Sequence, residues 1–188
     1  KLRELIDFFE FGDCLRKKYT KLSGGQKQRF TIIMVMMQEA ALTFYDEVTS
    51  GLDFETRQKL VEKLAEWYRG KRESLVVVSH YYEELDQLAD KLLILDQGQV
   101  VDYGRKDALF RKYCGRAVIV VNHSEENDSL LGAYKRLSAP AHLIAVACDK
   151  SVTELLRNHD VNYKRSNNDI EILYTNAKAV KGGGFHAK

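Results

Sequence analysis

Two short apolar runs, each closed by a pair of polar residues, constrain this chain more than anything else in it. Leu42 to Tyr45 runs into Asp46-Glu47, and Leu75 to Val78 runs into Ser79-His80. Around them the apolar residues fall at helical spacing. Leu60, Val61, Leu64 and Tyr68 mark an amphipathic helix from about Phe54 to near Gly70, and Phe30, Ile33, Met34, Met37 and Ala41 mark a largely buried helix over residues 25–40. Leu85, Leu88 and Ala89 suggest a further helix. Lys91 to Leu95, Asp96-Gln97-Gly98 and Gln99 to Tyr103 read as a β-hairpin with glycine at its turn. This alternation predicts a parallel α/β sheet finished by the hairpin, with Leu75–Val78 covered on both faces. Ligand chemistry in such sheets gathers at the carboxyl ends of strands, where the two polar pairs stand.

The remaining segments divide the chain. Residues 1–19 are amphipathic and charged, consistent with one or two helical turns around a break at Gly12-Asp13, and Ser23 is a plausible N-cap for the helix that follows. After a basic stretch from Arg105 to Arg116, the rhythm restarts. Ala117–Val121, His142–Cys148 and Val161–Arg165 read as extended, and Ser129–Leu137, Ser151–Asn158 and Asp169–Asn176 as helical, with Pro140 between elements. The predicted organisation is a helical piece over 1–40, a core over 41–113, a small α+β appendix over 117–176, and a Gly182-Gly183-Gly184 tail over 181–188. The tail is read as a flexible end or a cloning remnant.

Composition narrows the function classes. Lys plus Arg (29) nearly cancels Asp plus Glu (27), and a net charge of +2 gives no reason to propose nucleic acid or an acidic lipid surface. The longest apolar run, Phe30 to Met37, is too short to cross a bilayer. Cys14, Cys114 and Cys148 are odd in number and far apart, without a Cys-x-x-Cys pair. They read as reduced thiols of a cytosolic protein, so extracellular and integral-membrane classes are excluded.

Four short motifs carry chemistry, and each also has a plain structural reading. Leu22-Ser23-Gly24-Gly25-Gln26 opens a helix, whose start attracts anions and whose glycines let backbone N–H groups approach a phosphate; alone, it is a capped turn. Asp46 and Glu47 diverge at a strand end, so one carboxylate can hold a metal while the other orients or deprotonates water; alone, they are solvated acids. Ser50-Gly51-Leu52-Asp53 is a polar turn whose Asp53 suits the N-cap of the next helix. His80 ends an apolar strand, where a polar ring is poor core filler.

Taken in order, these motifs resemble the second half of an ATP-binding cassette (ABC) transporter ATPase domain, over about Lys1 to Tyr103. The resemblance implies a partial P-loop NTPase-like sheet followed by a small α+β domain. It implies that Ser23, Gly24, Gly25 and Gln26 form the signature loop facing the γ-phosphate held by an opposite protomer. It further implies that Asp46 helps hold Mg²⁺, that Glu47 is the general base or water-positioning carboxylate, that Ser50 to Asp53 communicate across the dimer, and that His80 contacts the γ-phosphate. The implied cofactors are ATP and Mg²⁺. The implied partners are a second ATPase subunit, as homodimer or heterodimer, and a transmembrane permease, with no nucleic acid, at the inner face of the cell membrane.

Departures accompany the resemblance. Val48 stands where the family usually has proline, and Thr43 and Tyr45 make the preceding strand unusually polar. No Gly-x-x-x-x-Gly-Lys-Ser/Thr occurs in the 188 residues, so these residues alone are expected to bind ATP too weakly to measure and to be inactive. Cutting such a sheet from its flanking strands is expected to bare strand edges and apolar faces. The appendix, ending in Asn168 to Tyr174, resembles that of drug- and bacteriocin-export ATPase subunits. Two other readings stay open: a non-transport ABC protein acting on DNA or ribosomes, and a non-catalytic binding or dimerisation module.

Overall fold

Leu42–Asp46 forms β1, and Ser74–Val78 forms β2 parallel to it, in register from Leu42 opposite Ser74 to Asp46 opposite Val78. The crossover between them is α3, Phe54–Tyr68, as a parallel pair requires. The computed structural model of the chain describes residues 1–182 and separates into two units, Lys1–Leu88 and the residues from Ala89 onward. In the first unit, α1 (Leu2–Phe8) and α2 (Gly24–Met36) precede β1, and α4 (Tyr82–Leu88) follows β2.

The core of this unit lies on one face of the strand pair. Leu60, Leu64 and Trp67 of α3 form a helical stripe that meets Tyr45, Ile32, Ile33, Met36, Leu5 and Phe9 in one buried cluster. Each fully buried side chain of this size contributes about 2 kcal/mol. Helix α2 turns a different side inward from the one its sequence suggests: Ile32, Ile33 and Met36 are buried while Met34 and Met37 are exposed. An unbroken apolar run has no polar residues to mark its outer face, so periodicity cannot orient it.

The strands are not covered on both faces. Thr43 and Tyr45 are buried, but Phe44 is 66% exposed and Val78 54%, with Leu42 and Val76 beside them. A continuous apolar run was the basis for expecting two covered faces, yet burial alternates with the pleat.

The second unit begins with the hairpin, β3 (Lys91–Asp96) and β4 (Gln99–Arg105). Gln97 and Gly98 both take positive φ, 48° and 74°, as a two-residue turn of the favoured hand requires. This hairpin is a separate two-stranded sheet and does not finish the parallel pair. The expected single sheet is therefore two, because a sequence shows strands but not which edges they join. Helix α5 (Lys106–Cys114) occupies the basic stretch.

Next come β5 (Val118–Asn122), α6 (Glu125–Leu130), β6 (Arg136–Leu137), β7 (Leu143–Ala147), α7 (Lys150–Asn158), β8 (Lys164–Ser166) and α8 (Ile170–Gly182). The four strands form an antiparallel sheet in the order β6-β7-β5-β8. Ile119, Val121, Ile144 and Val146 pack with Val152 and Leu156 of α7 in its core. The helix expected over 129–137 lies earlier, at 125–130, because Ser124 caps it by accepting the Asn127 N–H at 3.1 Å. Helix α8 runs to Gly182, beyond the Asn176 at which the sequence reading stops it. It is pinned by Asn176, whose side chain exchanges hydrogen bonds with the Ser138 backbone at 3.0 and 2.8 Å. The tail expected over 181–188 falls, from residue 183, outside the described residues.

Candidate functional site

The end of β1 turns sharply. Glu47 donates its N–H to the Val78 carbonyl at 2.8 Å, extending the parallel ladder by one residue, while its own carbonyl accepts the Ser50 N–H at 2.9 Å. Its φ of 45° places a non-glycine residue in the left-handed region, a conformation that costs about 1 kcal/mol or more and persists only when its surroundings fix it. Those surroundings are visible. Val48 is buried in the core cluster and Thr49 is buried beside it, so the next two residues anchor the turn while Asp46 and Glu47 stay exposed. Where proline would stiffen the turn, Val48 holds it by burial.

His80 leaves β2 two residues past Val78 and meets Glu47. Its Nδ1 lies 3.3 Å from Glu47 Oε1, with both side chains about half exposed. An ionised carboxylate only accepts, so Nδ1 donates and Nε2 is the nitrogen left for a ligand. The ring packs on Tyr81 with centroids 4.1 Å apart, and the Arg57 guanidinium sits 3.9 Å from the Tyr81 centroid. Residues 33 positions apart in sequence are thus paired at neighbouring strand ends, and an aromatic–cation stack holds the histidine.

Ser23 caps α2 in a reciprocal box. Its Oγ accepts the Gln26 N–H at 3.3 Å, and Gln26 Oε1 accepts the Ser23 N–H at 3.0 Å. The serine hydroxyl proton stays available to donate outward. The two glycines differ. A Cβ on Gly24 would meet nothing within 4 Å, whereas one on Gly25 would come within 2.9 Å of Thr56 Cγ2. Gly24 leaves the corner open; Gly25 lets it pack against the start of α3. There Asp53 caps α3, accepting from the Thr56 N–H at 2.9 Å and the Thr56 hydroxyl at 2.7 Å. These two bonds, the backbone one first, hold the Asp53 carboxyl below its usual range.

The structure therefore brings the sequence-derived residues together as two groups: Ser23, Gly24, Gly25 and Gln26 with the Asp53 cap, and Glu47 with His80. Among the described residues no hydrogen bond joins one group to the other. Nor is any set of three His, Cys, Asp or Glu side chains among them arranged to hold a metal unaided. Asp46 is a single exposed carboxylate, which suits one position on a Mg²⁺ ion completed by phosphate and water.

Sequence reasoning missed Glu84. It is 3% exposed, accepts the Ser79 hydroxyl at 2.8 Å, accepts a short hydrogen bond from the Thr49 hydroxyl, and lies 3.9 Å from Arg57 Nε. A signal was available: Glu84 stands four residues before Leu88, on the inward stripe of α4, where a charge needs a reason.

Fold and site together define an α/β protein whose exposed acid and histidine gather at the carboxyl edge of a parallel strand pair. No family model matches the chain. It is 31% identical over 145 residues to the methionine import ATP-binding protein MetN of Corynebacterium glutamicum, covering 73% of this chain and 40% of that protein. It is 28% identical over 135 residues to the linearmycin resistance ATP-binding protein LnrL of Bacillus subtilis, covering 72% and 43%. A solved ATP-binding cassette of an ABC transporter, in its ADP conformation, aligns with a TM-score of 0.49 at 21% identity, covering 56% of this chain and 41% of that one. The chain spans about two fifths of the length of these curated relatives. It is homologous to the ATP-binding subunits of ABC transporters.

Proposed function

We propose that these residues supply one side of an ATP-hydrolysing site completed by a second subunit, and that the intact protein uses hydrolysis to drive transport through a membrane permease. The carrying observation is the Glu47–His80 pair at adjacent strand ends. In this reading Glu47 orients or deprotonates the attacking water through the oxygen not engaged with His80, and His80 stands beside it toward the terminal phosphate. ATP would supply that phosphate and Mg²⁺ would neutralise its charge, with Asp46 as the protein's carboxylate toward the ion. Ser23, with its outward hydroxyl proton, and the open backbone at Gly24 face the nucleotide held by the other subunit, while Gln26 keeps Ser23 in place and Gly25 and Asp53 seat the corner on α3.

Homology to both an importer's subunit and a drug-resistance subunit supports the transport reading over one in which the chain acts on DNA or ribosomes. The near-neutral charge agrees with it. No described helix is long and apolar enough to cross a membrane, and the homology to transporter subunits is what supports a place beside a permease at the inner face of the membrane. The test is Glu47→Gln in the intact protein. Steady-state ATP hydrolysis should fall about a hundredfold or more while ATP still binds. Unchanged turnover removes Glu47 from the chemistry.

A further inference from the structure

Glu84 belongs to no motif so far assigned a role, yet among the described residues of the first unit it is the one buried acid. Its two oxygens reach two different loops. One takes the hydroxyl of Thr49, two residues after Glu47; the other takes the hydroxyl of Ser79, one residue before His80. Ser79 Oγ in turn accepts the Tyr81 N–H at 3.0 Å, fixing the backbone on the far side of His80. Arg57 lies against the same carboxylate and also over the Tyr81 ring on which His80 packs. A core needing only an apolar filler would not place an acid there, because a buried carboxylate is costly unless every lone pair is met.

We propose that Glu84 is a positioning residue that ties the Glu47 turn to the His80 turn and so sets the pairing of Glu47 with His80; this rests on the ATPase reading above. It touches neither substrate nor reacting atoms. With the bridge gone, the two strand ends remain hydrogen-bonded through Glu47 N–H and the Val78 carbonyl, but the side chains beyond them lose their common support. A displacement of about 1 Å at such a site costs up to a hundredfold in rate.

The experiment has two arms. In the first, NMR of the protein at fixed pH follows the His80 ring signals in Glu84→Gln, in Thr49→Val, which removes one donor and leaves the acid, and in Glu62→Gln on the exposed side of α3 as control. The His80 signals should move in the first two and stay in the third. In the second arm, hydrolysis by the intact protein should show kcat lowered about tenfold or more in Glu84→Gln with KM for ATP within about twofold. In a Glu47→Gln background Glu84→Gln should add no further loss, since it acts through that pair. Unmoved His80 signals in both Glu84→Gln and Thr49→Val, or an equal fold-loss in the two backgrounds, overturns the proposal. A dead Glu47→Gln beside an unimpaired Glu84→Gln removes this inference alone. An unimpaired Glu47→Gln removes the ATPase reading and this role with it.

Discussion

Gly25 offers the sharpest test of how the serine–glycine corner is seated. An alanine there places Cβ 2.9 Å from Thr56 Cγ2, against the 3.5–4.0 Å of ordinary carbon contacts. Thr56 cannot swing away freely, because its hydroxyl and N–H are both held by Asp53. Overpacking of this kind costs about 1–3 kcal/mol, and the helix propensity of alanine over glycine returns up to about 1 kcal/mol. The net expectation is a loss of about 1–2 kcal/mol for Gly25→Ala. Thr56→Ser removes the offending methyl and keeps the hydroxyl for Asp53, so the double variant Gly25→Ala/Thr56→Ser should recover most of that loss. Gly24→Ala, with open space around it, should be neutral or gain a few tenths of a kcal/mol. Urea denaturation of wild type, Gly25→Ala, Thr56→Ser and the double variant measures the coupling as a double-mutant cycle, with Gly24→Ala measured beside them. Equal stability of Gly25→Ala and Gly24→Ala, or strict additivity with Thr56→Ser, refutes the reasoning.

Two further outcomes follow from buried and paired polar groups. Tyr45 is 4% exposed, its hydroxyl finds no hydrogen-bond partner among the described residues, and burial pushes its phenol far above the usual range. Tyr45→Phe should therefore leave stability unchanged or raise it by up to about 1 kcal/mol in thermal unfolding. Asp102 accepts from Lys112 at 2.7 Å and Tyr113 at 2.8 Å, the lysine bond acting most strongly, and its carboxyl is held at about 2 instead of the usual 3.8. A carboxyl depressed on folding stabilises above its unfolded value and loses that contribution as pH falls through its folded value. The loss should thus lie between about pH 4 and 2. Because Lys112 is 60% exposed, screening reduces the effect to about 1 kcal/mol. Asp102→Asn should cost that much at pH 7 and flatten the stability profile over the same window.

Legibility from sequence divided along physical lines. Helix α3 was readable because Asp53 is a side-chain cap and Leu60, Val61 and Leu64 contrast with charged neighbours, although its last turn buries Trp67 where the sequence pattern pointed to Tyr68. The hairpin was readable because Gln97-Gly98 is a turn pair, but its separation from the parallel strands was not, since edge pairing is a tertiary choice. Helix α2 announced its start through Ser23 and hid its inner face in an apolar run. At the site, exposed polar residues at strand ends were visible as motifs: Asp46, Glu47 and His80. Glu84 could be marked only as an acid on the inward stripe of α4, and Arg57 and Tyr81 not at all, because what the three contribute is a set of contacts between α3, α4 and two loops.

The proposed site needs two copies meeting head to tail, so that Ser23 of one faces the nucleotide beside Glu47 and His80 of the other. Mixing variants of the intact protein tests this directly. Ser23→Arg and Glu47→Gln should each be inactive alone, since every site then carries one lesion. Mixed and allowed to exchange, they form a pair with both lesions in one site and none in the other. ATP hydrolysis by the mixture should therefore recover, while a mixture of the Ser23→Arg/Glu47→Gln double variant with wild type should show only the hydrolysis of its wild-type dimers. No recovery in the first mixture, with exchange verified, contradicts a site shared between subunits.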